Sequence, residues 1–166
     1  QALASLKLLR PVRYGQPEKP AEFVSVIFRD AGHILGSASL EVIVSGEGKP
    51  RRLVFSGDLG MSDRPVLCDP SPSPTEADVL LIESTYGDRL HPREDFQARL
   101  GGIVRATIRR GGSVLMPSFA VGRAQALLLA LQRLKDAGEI PGELPIFLDS
   151  PMAIKATTLY QRHAKL

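Results

Sequence analysis

Short apolar runs separated by glycine and proline fill the first half of the chain, and helical spacing takes over in the second. After a short helical stretch over Ala2–Leu9, the residues from Pro11 to Pro20 read as a proline- and charge-rich connector. β-Branched, apolar runs then predict strands over about 22–29, 38–45 and 51–56, the last two joined as a hairpin through Gly46–Pro50. Residues 60–77, with Pro65, Pro70, Pro72 and Pro74, predict a surface loop. Asp78–Glu83 is a continuous apolar run ending in a carboxylate, the pattern of a buried central strand. Phe96, Leu100, Ile103, Val104, Thr107 and Ile108 share one face of a helix over 92–110, which Gly101 and Gly102 weaken by about 1 kcal/mol each. A short strand over 112–117, a helix from Ser118 through Lys135 and a strand over 144–149 follow. Ser150-Pro151 then starts a last helix as N-cap and first-turn proline. The alternation of strand and helix from residue 78 onward predicts a parallel α/β sheet.

A chain of 166 residues, 43% apolar and 23% charged, is long enough to bury a core as one large domain or two small lobes. The net charge of +3 suits a polyanionic ligand without requiring one, and no Lys/Arg block is dense enough for a nucleic-acid tail. The single Cys68 excludes an internal disulfide and a cysteine-based structural zinc. Every apolar run is too short to span a membrane, and the lack of a signal-peptide pattern makes a cytoplasmic setting the default. The chain begins with Gln1 and ends at Leu166 within helical patterns, so a fragment of a longer protein is expected.

Candidate chemistry gathers at strand ends. His33 sits between Gly32 and Gly36 after one apolar run, and Asp58 follows Gly57 after another. Either residue alone is more often a turn or surface group. The same local grammar at both makes them candidate ligands of one metal, and imidazole with carboxylate suits a dication such as Zn2+. Glu83, at the end of the run 78–83, is either a surface or capping acid or a carboxylate that orients a ligand or relays a proton. Ser118–Arg123 form a strand-to-helix junction where Ser118 and Arg123 could hold a phosphate, although an ordinary loop explains them as well. Ser84, Thr85 and Tyr86 could line the same cleft. His91 and His163 read as structural or exposed, Cys68 as incidental, and Ser118 lacks the setting of a nucleophile elbow.

Taken together, Asp30-Ala31-Gly32-His33-Ile34-Leu35-Gly36-Ser37-Ala38, Phe55-Ser56-Gly57-Asp58-Leu59-Gly60 and Glu83-Ser84-Thr85-Tyr86-Gly87 resemble the metallo-β-lactamase fold of the β-CASP nucleases. Pro117–Gln125 and Asp149–Ala153 resemble further β-CASP signatures, so the likeness runs from about residue 22 to 160. It implies a partial metallo-β-lactamase αββα sandwich over 1–86 and the start of a Rossmann-like β-CASP domain over 87–166. By the same likeness His33 is a ligand of one zinc, Asp58 bridges two zincs, and Glu83 is the acid that supports the site. In that family, metal-activated water attacks a phosphodiester of RNA. The family's His-x-His-x-Asp-His motif does not precede His33, and its later histidine motifs do not follow Asp149-Ser150-Pro151. His91 and His163 lack the motif contexts that would replace them.

The resemblance implies part of a zinc-dependent ribonuclease acting on single-stranded RNA in a cleft between two lobes, alone or as a homodimer or member of a processing complex. With so few ligands, the chain by itself is expected to bind zinc weakly and to leave RNA uncut. The alternatives are a non-catalytic RNA-binding scaffold of the same fold and a metallohydrolase acting on DNA or another phosphodiester.

Overall fold

The structure, a computed structural model, describes residues 2–74, 76–90 and 95–163. The chain divides into two compact units, one of Gln1–Ser62 with Asp69–Ser84 and the other of Asp63–Cys68 with Thr85–Leu166.

The first unit opens with a helical turn, α1 (Ala2–Ser5), that tightens into a 3-10 turn over Leu6–Leu8. It is built on a five-stranded sheet in sequential order: β1 (Pro17–Ala21), β2 (Val24–Asp30), β3 (Ala38–Val44), β4 (Arg51–Phe55) and β5 (Val79–Leu81). The first four strands run antiparallel, and β5 lies parallel to β4. Gly46–Pro50 closes the β3–β4 hairpin as the pattern of turn residues predicts, with Leu40 opposite Phe55 and Val44 opposite Arg51. β1 corrects the expected connector. Pro17 and Pro20 are compatible with a strand there because β1 is an exposed edge, and its pairing with β2 is irregular between Glu18 and Ala21.

β5 also departs from expectation. Its residues are exposed, with Leu80 at 57% and Ile82 beyond it at 63%, and it forms the edge of the sheet beside β4. The unit's interior is correspondingly thin. Its buried side chains are Ala31, Val54, Ser56 and Glu41. Glu41 is the notable one, since its Oε2 accepts from Arg29 Nη2 at 2.6 Å while its Oε1 lies 3.0 Å from Arg52 Nε. One carboxylate on the middle strand therefore ties β2, β3 and β4 together on one face, with Arg29 Nε also donating to Oε2 at 3.1 Å.

The second unit packs three helices, α2 (Phe96–Arg109), α3 (Arg123–Asp136) and α4 (Pro151–Arg162). α3 packs against both of the others. The Asp95 carboxylate caps α2 by accepting from Ala98 N, and Ser150 caps α4 by accepting from Ala153 N with Pro151 next, as the sequence predicts. Leu100, Val104, Ala130, Leu131, Leu134 and Ile140 form the core, with Leu134 fully buried. Gly101 brings α2 close to α3, since a Cβ there would stand 3.0 Å from Leu134 Cδ2.

The expected strands over 112–117 and 144–149 are not paired into a sheet among the described residues. Val114, Met116 and Leu144 still pack on the helical core while Leu115 and Phe147 face outward. The side-chain alternation of a strand survives, and the ladder does not, because a ladder needs a partner. The helix expected from Ser118 starts at Arg123, after a turn in which Gly122 takes φ +83°. Among the described residues no helix is long and apolar enough to cross a membrane.

Candidate functional site

Three of the sequence-predicted site residues lie in the first unit, on loops that leave its strands. β2 ends at Asp30, whose Oδ1 accepts from Gly32 N at 2.8 Å, a local turn that starts the loop. Ser37 closes it: its Oγ accepts from His33 N (3.1 Å) and Ile34 N (3.2 Å), and its carbonyl accepts from Ala31 N (3.2 Å). The Tyr14 hydroxyl donates to that same carbonyl at 2.8 Å, and partial burial followed by the Asp30 charge pushes its pKa up. The His33 backbone is thus held by side chains, while its imidazole stays open to solvent with 44% of its surface exposed.

The loop after β4 carries Asp58. It is fastened to the His33 loop through Gly60, whose N–H donates to Ala31 O at 2.7 Å. The approach leaves no space for a side chain, since a Cβ on Gly60 would lie 1.8 Å from Gly32 O and 2.7 Å from His33 N. This contact sets His33 Nε2 3.9 Å from Asp58 Oδ2. Glu83, just beyond β5, points its Oε1 at the same loop and accepts from Leu59 N at 2.7 Å. In this arrangement Glu83 touches the backbone that carries Asp58.

Tetrahedral zinc, with bonds of about 2.0–2.2 Å to nitrogen or oxygen, places two of its donors about 3.4 Å apart. The 3.9 Å between His33 Nε2 and Asp58 Oδ2 is about 0.5 Å wider, so the two side chains would draw together on a shared ion. The donor types fit a borderline dication. The number of donors does not, because no group of three or more His, Cys, Asp or Glu suited to a metal occurs among the described residues.

Ser118 and Arg123 belong to the second unit, where both are exposed and Arg123 is the first residue of α3. The amide of Gly122, at the head of that helix, is already taken by Gln125 Oε1 at 2.7 Å. Gln125 is itself buried, and its Nε2 donates to Ala120 O and to Thr157 Oγ1 of α4, so it pins the junction to the last helix. Tyr86 is exposed, and His163 ends α4 with its Nδ1 3.0 Å from Leu159 O. His91 lies outside the described residues. A surface cavity of about 600 Å3 in the first unit, lined by Lys49, Arg51, Arg52, Glu76 and Asp78 among others, contains none of the candidate residues.

Ser37, Ser56, Gly60 and Gln125 lie within the motifs without a role that the pattern assigns, and Tyr14 lies outside them. The signals available were small: a hydroxyl inside the His33 loop, and a serine directly before Gly57-Asp58 at a strand end.

Comparison with known proteins agrees with the motif pattern. A Beta-Casp domain model matches residues 124–166. Over 155 residues the chain is 44% identical to Ribonuclease TTHA0252 of Thermus thermophilus, a match covering 93% of this chain and 34% of that protein. Residues 124–166 carry part of a Beta-Casp domain. It is also 35% identical to Endoribonuclease YSH1 of Yarrowia lipolytica over 82% of this chain and 16% of that protein. Against Cleavage and polyadenylation specificity factor 73 of Drosophila melanogaster the identity is 35%, over 80% of this chain and 19% of that protein. The chain thus spans about a third or less of the relatives it matches. The β-CASP family is metal-dependent.

Proposed function

We propose that the whole protein is a zinc-dependent ribonuclease that hydrolyses phosphodiester bonds in single-stranded RNA, and that this chain supplies part of its metal site. The observation that carries the reading is the pairing of His33 and Asp58 at 3.9 Å on two loops locked together through Gly60. The similarity to proteins named as ribonucleases and endoribonucleases supports the substrate class. When bound, zinc would acidify a water and offset charge building on the phosphoryl oxygens. His33 would bind through Nε2, the nitrogen that faces Asp58. Asp58 would bind through its carboxylate, on a backbone held by the bonds of Leu59 N to Glu83 Oε1 and of Gly60 N to Ala31 O. Glu83 would keep that loop in place by accepting from Leu59 N. Arg123, exposed at the head of α3, is a candidate for holding an RNA phosphate.

The test is cleavage of a fluorescently labelled single-stranded RNA by the whole protein, with DNA of the same sequence beside it. His33→Ala and Asp58→Asn are each expected to lower kcat by at least a hundredfold, and a chelator to abolish cleavage until zinc is restored. Undiminished cleavage by both variants would refute the assignment. Cleavage of DNA with RNA left intact would favour the other metallohydrolase reading.

A further inference from the structure

We infer that Ser56 and Glu83 together form a clamp that fixes Asp58, with the Ser56 hydroxyl standing in for its own carbonyl at the end of the β4–β5 ladder. The assignment of Asp58 as a metal donor rests on the function proposed above; the clamp itself does not.

The parallel register pairs Leu53 with Val79, Val54 with Leu80 and Phe55 with Leu81. Continued by one step, a parallel ladder would bond Ser56 N–H to Leu81 O and then Glu83 N–H to Ser56 O. The first of these bonds is present at 2.9 Å. In place of the second, Glu83 N–H donates to the Ser56 side-chain Oγ at 2.9 Å. The hydroxyl proton goes on to Gly57 O at 2.7 Å. Ser56 is 6% exposed, so water is poorly placed to take over either bond. Releasing the Ser56 carbonyl from the ladder lets the main chain turn away immediately, and it does so at Gly57 with φ +56°.

The turn carries the chain through Asp58 to Leu59, where Glu83 meets it a second time: Leu59 N–H donates to Glu83 Oε1 at 2.7 Å. Glu83 therefore holds residues 56–59 at both ends, through its amide on one side and its carboxylate on the other. Asp58 is the one acidic residue within that closed span, with its side chain 79% exposed and facing outward to solvent and His33. A regular ladder at Ser56 would have kept the chain extended and carried Asp58 away along the strand direction. In this geometry Ser56 is a positioning residue, acting on the site through Asp58 and Glu83.

The experiment is residue-resolved amide hydrogen exchange by NMR on the 166-residue chain, comparing wild type with Ser56→Ala, Ser56→Thr and Glu83→Ala. Ser56→Ala is expected to speed exchange at the Glu83 amide by about tenfold while Val54 and Leu80 keep their wild-type rates, and Ser56→Thr to restore protection. Glu83→Ala removes the acceptor for Leu59 N–H, and is expected to speed exchange at Leu59 and to leave the position-83 amide protected by Ser56. This second arm decides the matter if Ser56→Ala does not fold. An unchanged position-83 amide in Ser56→Ala, a uniform rise along β4 and β5, or an unchanged Leu59 amide in Glu83→Ala would each overturn the clamp. In the whole protein, Ser56→Ala should lower kcat with KM within about twofold, and Ser56→Thr should recover it. Wild-type protein without RNA cleavage would count against the function proposed above and leave the exchange result standing.

Discussion

Replacing Gly60 by alanine should separate the two loops that hold the candidate site. A Cβ at this position would lie 1.8 Å from Gly32 O and 2.1 Å from Gly32 C. Ordinary van der Waals separation is about 3.5 Å, so the loops must part by roughly 1.5 Å or more. That movement breaks the 2.7 Å bond from Gly60 N to Ala31 O. Ala31 is 1% exposed, so its carbonyl is left without water, a cost of about 1–3 kcal/mol. Alanine also narrows the unfolded ensemble, which returns roughly 0.5–1 kcal/mol. Strain left in the shifted loops adds about 1–2 kcal/mol, so the net loss is about 2–3 kcal/mol. For a chain of this length that corresponds to a fall in Tm of roughly 5–10 °C. Thermal melting by circular dichroism reads the fall, and the His33 imidazole resonances read the displacement. Gly102→Ala serves as the control: no atom lies within 4 Å of its Cβ position on α2, so it should raise stability by about 0.5–1 kcal/mol. A Gly60→Ala protein that melts within a degree of wild type, with His33 resonances unmoved, would refute the packing argument.

Two further substitutions probe the sheet and the base of the His33 loop. Glu41→Gln leaves Arg29 and Arg52 facing each other without a counter-charge, and should cost about 3 kcal/mol in urea unfolding, somewhat less if both guanidinium groups swing into solvent. A cost below about 0.5 kcal/mol would mean that the three-strand ion pair is not coupled to folding. The raised pKa of Tyr14 means that the folded state binds its phenolic proton more tightly than the unfolded chain does. Its contribution is therefore fully present below pH 10.0, the ordinary tyrosine value, and is lost as pH rises through the higher folded-state value. Tyr14→Phe should remove that share of the alkaline loss of stability, and an unchanged pH profile would argue against it.

The parts of the fold that were legible in the sequence are those decided by neighbours along the chain. The β3–β4 hairpin follows from Gly46–Pro50 between two β-branched runs, and the α4 start from Ser150-Pro151, because turn and cap chemistry act over a few residues. What the sequence concealed depends on partners far along the chain. Asp78–Glu83 has the composition of a central strand but forms an edge, since apolar content reports what a strand could bury and says nothing of what covers it. Residues 112–117 and 144–149 show the same limit: inward Val114 and Met116 obey the alternation, yet pairing needs another strand. Pro17 and Pro20 concealed β1, because a proline signals a connector and an edge strand equally well. At the site, the paired Gly-flanked loops made His33 and Asp58 visible together. Gly60 and Ser56 were not, as nothing local shows that a glycine is pressed against another loop or that a hydroxyl ends a ladder.

The most direct test of the central claim, that His33 and Asp58 are donors to one metal ion, is a zinc titration of the 166-residue chain. It is followed at the histidine resonances, with zinc per chain counted by elemental analysis after desalting. The account predicts shifts at His33 that saturate weakly, disappear in Asp58→Asn and leave His163 unmoved, with little zinc retained after desalting. Zinc held firmly at two ions per chain, or bound with His33 unperturbed, would contradict it.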